Sequence, residues 1–320
     1  NSFCTLLEPL CYLVMPRPCA VDTTREQSRA EIERDAAALA ELVHAARHVV
    51  VFTGAGISTS AAIPDFRGPN GVWTCRDAGR AAPECIALEQ AIPTPCHRTI
   101  QRLVARGDFK YVVSQNVDGL HRRSGVPRDR LSELHGNSFL DVCWGCGADN
   151  EHTTQVPSGA NGNARCATCL ERVPHFCHCT GEACRQCGGP LRDSIIHFGE
   201  NLPEQALNRA YRHARRADVC VVLGSSLTVS PANEIPKIVA DRGGKLIIVN
   251  LQPTDLDGRA CLRVFARTDE FSELFERRLN ALKNSDAAES AAAETASLAS
   301  TRTVAHAVAP PPRAFALCNT

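Results

Sequence analysis

The sequence lacks three features that would each point to a class of protein. No apolar run approaches the roughly 18 to 20 residues of a membrane-spanning helix, so we expect no transmembrane segment. Neither sign of charge is in excess, because 35 Lys and Arg residues balance 35 Asp and Glu residues. The chain therefore has no general attraction for nucleic acid or an anionic membrane. No compact basic run of five or more residues marks a nuclear localisation signal.

Cysteine, by contrast, is abundant, with 17 residues in a chain of 320. Such a number suggests a disulfide framework in a short secreted protein, but this chain is long and several cysteines are paired at C-x-C or C-x-x-C spacing. Metal ligation in a reducing, intracellular setting is the better interpretation. The length favours one large α/β domain with a smaller module beside it.

Four near-continuously apolar segments predict the strands of the larger domain. Each is rich in β-branched residues and runs into small or polar ones, as parallel strands buried on both faces do. They are Val49–Gly56, Lys110–Asn116, Val219–Ser226 and Lys245–Gln252. The segments between them, such as Pro203–Arg216 and Ala232–Asp241, have helical composition and suit crossover connections. Before the first strand, Arg29–His48 predicts an amphipathic helix that covers the sheet. We predict a doubly wound, parallel, Rossmann-like α/β sheet, whose strand ends line one crevice.

Composition also divides the chain into domains. Residues 29–137 and 198–283 form the predicted Rossmann-like domain. Residues 138–197 are rich in Cys, Gly and His, and we expect an inserted small module that needs a metal to fold. Residues 1–28 form an N-terminal extension of unknown order, and the Ala/Ser/Thr/Pro-rich residues 284–320 predict a disordered tail.

The first predicted strand leads into a glycine turn that suits a pyrophosphate. Gly54 and Gly56 allow backbone N–H groups to approach phosphate without a Cβ in the way. A dehydrogenase would have a third glycine where Thr59 stands, so hydride transfer is disfavoured. Beyond the turn, the motif from Asp65 to Arg67 combines a carboxylate, an aromatic ring and a cation, which suits a charged nicotinamide riboside. A core aromatic residue and a solvated arginine are the alternative interpretation.

Polar residues at the end of the second strand form another candidate site. The Gln115 and Asn116 amides and the Asp118 carboxylate could bind a ribose and a carboxamide, although an Asn-Val-Asp-Gly turn needs no ligand. His135 is followed by a glycine that permits close backbone approach. An arbitrary histidine is more often structural than catalytic.

Two C-x-x-C pairs, Cys143 with Cys146 and Cys184 with Cys187, predict a closed, structural zinc site. A redox dithiol is disfavoured because no thioredoxin-like strand precedes either pair. The gap between the pairs exceeds the common roughly 15 to 20 residues and contains Cys166, Cys169, Cys177 and Cys179. Together with His175 and His178 these cysteines could hold a second zinc ion, free thiols being the alternative.

The order of motifs resembles the sirtuin (Sir2) family between about Arg29 and Leu282. GAGIS, PDFRGPNGVW, QNVDGLH, LHGN, the two C-x-x-C pairs, HFGE, GSSLTVSPAN and IVNLQPT occur in that order. PNGVWT and the spacing around HFGE are similar to class IV, the branch that holds the sixth and seventh mammalian sirtuins. The resemblance also places the second zinc pair at Cys184 and Cys187, directly before GGPLRDSIIHFGE.

The resemblance implies an NAD-dependent protein-lysine deacylase (deacetylase) that releases nicotinamide and O-acyl-ADP-ribose. It makes His135 the general base, with Asn116 and Asp118 orienting the ribose and the carboxamide. NAD would contact Gly54, Ala55, Gly56, Ile57, Ser58, Asp65, Phe66, Arg67, Trp73, Gln115, Asn116 and Asp118. Its adenosine end would contact Gly224, Ser225, Ser226, Asn250, Leu251, Gln252 and Thr268.

The implied partners are acylated-lysine proteins, histones among them, bound partly by strand addition near Phe198–Glu200. We expect no sequence-specific nucleic-acid contact and no membrane partner, and the oligomeric state stays open. The resemblance favours the nucleus, with the cytoplasm as the alternative. Mono-ADP-ribosyl transfer from the same NAD site remains an alternative activity. A weakly catalytic, NAD-sensing chromatin-binding module is the other alternative, against which the intact His135 and Asn116 argue.

Overall fold

The computed structural model describes residues 23–156 and 177–306, beginning with an amphipathic helix, α1 (Arg29–Ala45). A capping box fixes its start, because Ser28 Oγ accepts from the Glu31 amide at 3.4 Å and the Glu31 carboxylate accepts from the Ser28 amide at 2.8 Å. The helix buries Ile32, Leu39 and Val43 against the sheet. It covers the sheet as the sequence predicts.

Six parallel strands form the main sheet in the order β10-β9-β8-β1-β2-β3. Their bounds are β1 (Val49–Thr53), β2 (Tyr111–Ser114), β3 (Leu131–Glu133), β8 (Val219–Leu223), β9 (Lys245–Val249) and β10 (Leu262–Val264). The four predicted strands are present. The two edge strands, β3 and β10, were not predicted, since three residues are too few for a periodicity to show.

Helices cover both faces of this sheet, which confirms the doubly wound architecture. The further helices are α2 (Val72–Asp77), α3 (Pro95–Ala105), α4 (Leu120–Arg123), α5 (Glu204–Ala214), α6 (Glu234–Asp241) and α7 (Thr268–His306). One face, with Val49 and Val51, packs against α1, α3 and α7. The opposite face, with Val50 and Phe52, packs against α5 and α6. The core therefore lies in two layers, and the strand ends stay open for a site.

The smaller module is a four-stranded antiparallel sheet in the order β5-β4-β7-β6. Its strands are β4 (Leu140–Cys143), β5 (Asp149–Glu151), β6 (Cys179–Ala183) and β7 (Pro190–Asp193). Its small apolar core contains Leu191 with Cys143 and Cys184, so the cysteine pairs lie where the module needs support. The hypothesis of a second zinc site concerns residues outside the described ranges, namely Cys166, Cys169 and His175.

The C-terminal segment departs from the sequence expectation. Helix α7 runs from Thr268 to His306, so residues 284–306 of the predicted tail lie in a helix. The physical reason is the alanine content, because alanine has the highest helix propensity while adding little apolar surface. The remainder of the predicted tail, residues 307–320, and most of the predicted extension, residues 1–22, lie outside the described residues.

Among the residues described, no helix is both long enough and apolar enough to cross a membrane.

Candidate functional site

Two adjoining cavities lie where the carboxyl ends of β1, β2, β8 and β9 meet. They have volumes of about 230 and 650 Å³ and share Gly56, Asp65, Gly224, Asn250 and Gln252. The first is lined by most of the predicted residues: Gly54, Ala55, Gly56, Ser58, Asp65, Phe66, Arg67, Trp73, Gln115, Asn116, Asp118, His135, Gly224, Ser225, Ser226, Asn250 and Gln252. Leu251 and Thr268 line the second. Ile57 is 1% exposed and packs in the core beneath the turn.

The floor of the cavities is a contact between the loops after β1 and β8. The Gly56 amide donates to the Gly224 carbonyl at 2.9 Å. A Cβ on Gly54 would lie 2.7 Å from the Gly224 oxygen, and a Cβ on Gly56 would lie 2.8 Å from the Gly224 Cα. Side chains are thus excluded from both glycine positions. The floor is bare backbone, which suits the close approach of a pyrophosphate.

Ser58, Asn116 and Asp118 form a buried hydrogen-bond network beside this floor. Ser58 Oγ donates to Asp118 Oδ2 at 2.6 Å, and the Asn116 amide donates to the Gly54 carbonyl at 3.1 Å and to Ser58 Oγ at 3.2 Å. Asp118 Oδ1 also accepts from the Leu120 amide at 2.9 Å, at the start of α4. The turn interpretation therefore holds, and the same turn holds three polar side chains at the cavity wall.

His135 lies on the loop after β3 and is fixed in one tautomer. Its Nδ1 is 2.9 Å from the Gln115 carbonyl oxygen, which can only accept, so Nδ1 carries a hydrogen and Nε2 has a free lone pair in the neutral ring. Burial lowers the pKa of His135, and the hydrogen bond to the Gln115 carbonyl opposes that shift. The neutral ring is a base at the cavity wall.

Backbone contacts hold the His135 loop against the residues that follow β7. The Ile196 amide donates to the His135 carbonyl at 3.0 Å. Gly136 has a φ of +86°, and a Cβ there would lie 1.9 Å from the Ser194 oxygen. Only glycine fits this close approach, so the position of the imidazole depends on it.

An aromatic row crosses the first cavity. The Phe66 and Trp73 ring centroids are 5.0 Å apart, the Trp73 and Phe198 centroids are 5.7 Å apart, and Arg67 Cζ lies 4.2 Å from the Trp73 ring. These rings exclude water from part of the cavity. Trp73 Nε1 is buried with no hydrogen-bond partner among the described residues. Because buried donors are usually paired, this orphan donor fits a polar ligand in the cavity.

Sequence reasoning missed Arg263, a residue of β10 that organises the loop after β9. Its guanidinium donates to the carbonyl oxygens of Asn250 at 2.9 Å and of Gln252 at 2.5 Å. It also donates to Asp257 Oδ1 at 2.7 Å and lies 3.8 Å from the Phe265 ring centroid. The sequence signal was an arginine within a short apolar segment. Such an arginine is also typical of the exposed surface of an edge strand, so the signal does not single out this role.

The loop that Arg263 holds reaches across the cavity. The Gln252 side-chain amide donates to the Arg67 carbonyl at 3.1 Å. The two predicted ends of the NAD site, the nicotinamide side at Arg67 and the adenosine side at Gln252, are therefore connected directly. A dinucleotide fits this extended cleft, which is lined by backbone donors, amides and aromatic rings.

The four predicted zinc ligands lie together at one end of the small sheet. All four Sγ atoms are within 4.8 Å of one another, with Cys143 and Cys187 at 3.4 Å and Cys146 and Cys184 at 3.7 Å. Zinc–thiolate bonds of about 2.3 Å place tetrahedral sulfur ligands about 3.8 Å apart. The separations fit one zinc ion and are too long for disulfides. Closed four-cysteine coordination leaves no open position for catalysis.

The sequence and the fold are both similar to known proteins. The family model described as "Sir2 family" matches residues 80–231. A Drosophila melanogaster protein, NAD-dependent protein deacetylase Sirt6, is 38% identical over 233 residues, which are 72% of this chain and 71% of the relative. An NAD-dependent protein deacetylase from Caldivirga maquilingensis is 36% identical over 251 residues, covering 73% of this chain and 90% of that protein. Mouse NAD-dependent protein deacetylase sirtuin-7 is 42% identical over 257 residues, 78% of this chain and 60% of that one.

Solved structures give the same result. A Sir2 structure with a p53 peptide and NAD+ has a TM-score of 0.54 at 33% identity, covering 74% of this chain and 95% of its own. Another structure, which describes the mechanism and regulation of Sir2 enzymes, has a TM-score of 0.57 at 30% identity, with coverage of 78% and 99%. The chain spans only 45% to 60% of the length of several plant and mammalian relatives.

Proposed function

Since this chain belongs to the Sir2 family, we propose that it is an NAD-dependent protein-lysine deacylase with His135 as its general base. The observation that carries the proposal is the fixed tautomer of His135, whose Nδ1 is bound to the Gln115 carbonyl in the wall of a dinucleotide-sized cleft. Nε2 is then the atom that accepts a proton. The aromatic row and the Ser58–Asn116–Asp118 network supply the rest of the site.

NAD, when bound, supplies an electrophilic ribose carbon and the nicotinamide leaving group. The chain positions and protects that chemistry. Asn116 and Asp118, held by Ser58 and by the Gly54 carbonyl, orient the ribose and the carboxamide. The rings of Phe66, Trp73 and Phe198 exclude water from the reacting centre. His135 Nε2 then takes up a proton, and the Gln115 carbonyl stabilises the imidazolium through Nδ1.

The acylated lysine would enter between the small module and the main sheet. Residues 195–200 line the first cavity after leaving β7, and they supply backbone for strand addition by a peptide. Zinc, held by Cys143, Cys146, Cys184 and Cys187, would have a structural role, tying the ends of β4 and β7 together. We propose domain limits at residues 138 and 197, because the zinc module between them is distinct from the NAD-binding main sheet.

The substrate class we propose is acylated-lysine protein, with histones as candidates and the nucleus as the cellular setting. Support for histones and nucleus is the resemblance to the class IV branch, to which the relatives Sirt6 and sirtuin-7 correspond by name. Acetyl and longer acyl groups are both candidates, because the cleft is lined by apolar as well as polar residues.

The test is to incubate the purified chain with acetyl-lysine and myristoyl-lysine peptides, with and without NAD, and to follow nicotinamide release and peptide mass. The chain should remove the acyl group only with NAD present. His135→Gln should abolish the reaction, whereas His44→Gln, on the outer side of α1, should not. Nicotinamide release with ADP-ribose added to protein would favour ADP-ribosyl transfer instead. Binding of NAD without turnover would favour the NAD-sensing module.

A further inference from the structure

His178 directly precedes β6 and lies between two carboxylates. Its Nδ1 is 2.9 Å from Asp193 Oδ1 and its Nε2 is 2.8 Å from Glu200 Oε1. Carboxylate oxygens accept, so each ring nitrogen can donate to one of the two carboxylates.

The two carboxylates belong to different parts of the molecule. Asp193 ends β7 in the zinc module, is 3% exposed, and also accepts from the Ile195 amide at 3.0 Å. Glu200 belongs to the turn that lines the first cavity, and its Oε2 accepts from the His197 amide at 2.7 Å. His178 therefore joins the start of the segment 193–200 to its end.

This segment contacts both halves of the proposed site. Phe198 packs on Trp73 of α2, and the Ile196 amide donates to the carbonyl of His135. Within the segment, Gly199 has a φ of +91°, a conformation that favours glycine. The two hydrogen bonds of His178 add a restraint that joins residue 193 to residue 200.

We infer that His178 is a positioning residue for the peptide side of the cleft, holding the turn 197–200 in the conformation that binds an acylated-lysine peptide. The inference rests on the proposed function. The backbone floor of the cleft at Gly54, Gly56 and Gly224 lies on other elements, so NAD binding should change less than peptide binding.

The test compares His178→Ala and His178→Gln with a matched control, His152→Ala. His152 directly follows β5 of the small sheet and pairs with a buried carboxylate, Asp141, at 2.9 Å. Asp141 does not line the cavity, whereas Glu200, a partner of His178, does. The KM for acyl-peptide should rise about tenfold in His178→Ala, and less in His178→Gln, because a turn displaced by even 1 Å loses productive contacts. The KM for NAD, kcat at saturating peptide and bound zinc should stay within about twofold of the parent chain.

Hydrogen exchange at the amides of residues 197–200 provides a readout that needs no turnover. His178→Ala should accelerate exchange there, and His152→Ala should not. If the parent chain deacylates and His178→Ala has the same peptide KM as His152→Ala, the inference is wrong. If the parent chain shows no deacylation at all, the proposed function fails and the peptide role falls with it. Unchanged exchange at 197–200 would by itself refute the restraint.

Discussion

The proposed proton transfer depends on the imidazole of His135 and its carbonyl partner, Gln115. This carbonyl fixes which nitrogen of the neutral ring carries the hydrogen, and burial lowers the pKa of the ring, which favours its neutral form. Motif order was enough to nominate this residue, whereas Arg263 was not nominated and His178 was nominated only as a possible zinc ligand. Their importance depends on partners that are remote in sequence, Asn250 and Glu200, and no local pattern encodes such distances.

The lowered pKa of His135 gives a pH profile with a defined sign. The proposed base must be unprotonated to act, so a pKa lowered from the ordinary 6.5 places the midpoint of the acid-side loss of activity below that value. We expect kcat/KM for acyl-peptide to be level near pH 7. Below pH 6.5 it should fall as one group, the His135 imidazole, takes up a proton. Steady-state rates from pH 5 to 8 measure this. An inflection above 6.5 would contradict the assigned cause, desolvation of the imidazolium.

Asn116→Ala removes an amide that is fixed by Gly54 and Ser58. Loss of one oriented polar group commonly costs on the order of 10²-fold in rate, and we expect kcat/KM to fall by about that factor. Gln101→Ala, a change of another amide on the outer part of α3, is the control and should leave the rate unchanged. Equal rates for Asn116→Ala and the parent chain would reduce this residue to its turn role.

Secondary-structure elements were predictable where they are long and were missed where they are short. The four central strands have four or five residues with apolar character and were located, while β3 and β10, at three residues each, were not. The alanine-rich end of α7 was interpreted as disorder because it lacks an apolar stripe. Helix propensity and burial are separate properties, and composition alone does not distinguish a solvated helix from a solvated coil.

The short strand β10 matters because it carries Arg263. Arg263→Ala removes the hydrogen bonds that shape residues 250–252, so the KM for NAD should rise about tenfold while the KM for acyl-peptide changes little. Arg259→Ala is the matched control, since Arg259 pairs with Asp241 at the surface and lines neither cavity. A rise in both KM values together would indicate general loosening of the fold instead.

Deletion of residues 284–320 tests the helical end of α7. The apolar residues with which α7 enters the core end at Leu279 and Leu282, and the side chains of 286–292 are exposed. We therefore expect the melting temperature to change by no more than about 2 °C, because exposed contacts such as His44 with Asp286 contribute little. The deletion should also reduce the helical circular dichroism signal at 222 nm, whereas removal of a disordered tail would leave that signal unchanged. No loss of helical signal would restore the disorder prediction.

Across the whole molecule, the large sheet and the zinc module differ in what stabilises them. The large sheet has two apolar layers of its own, whereas the small sheet has a core of Leu191 and two cysteines. Fold class followed from strand pattern and cysteine spacing. The contact between the large sheet and the zinc module, through residues 193–200 and His178, could not be predicted from the sequence, because it depends on how the two sheets are placed.

Loss of zinc should therefore affect the module first. Cys184→Ser is expected to lower bound zinc by one equivalent per chain and to accelerate amide exchange in β4–β7, while amides of β1 and β8 remain protected. Cys261→Ser, an exposed cysteine outside the cluster, should change neither property. Simultaneous loss of protection in both sheets would mean that the parts fold as one unit.

The tryptophan content has a practical consequence. The chain has two tryptophans, of which Trp73 is 8% exposed in the aromatic row and Trp144 is 40% exposed between the zinc-binding cysteines. Trp144→Phe therefore leaves a single indole against Phe66, Phe198 and Arg67. Its intrinsic emission would report occupancy of the cleft alone, while Trp73→Phe would leave an emitter that follows only the zinc module. Each part of the molecule thus carries its own optical probe, without any added label.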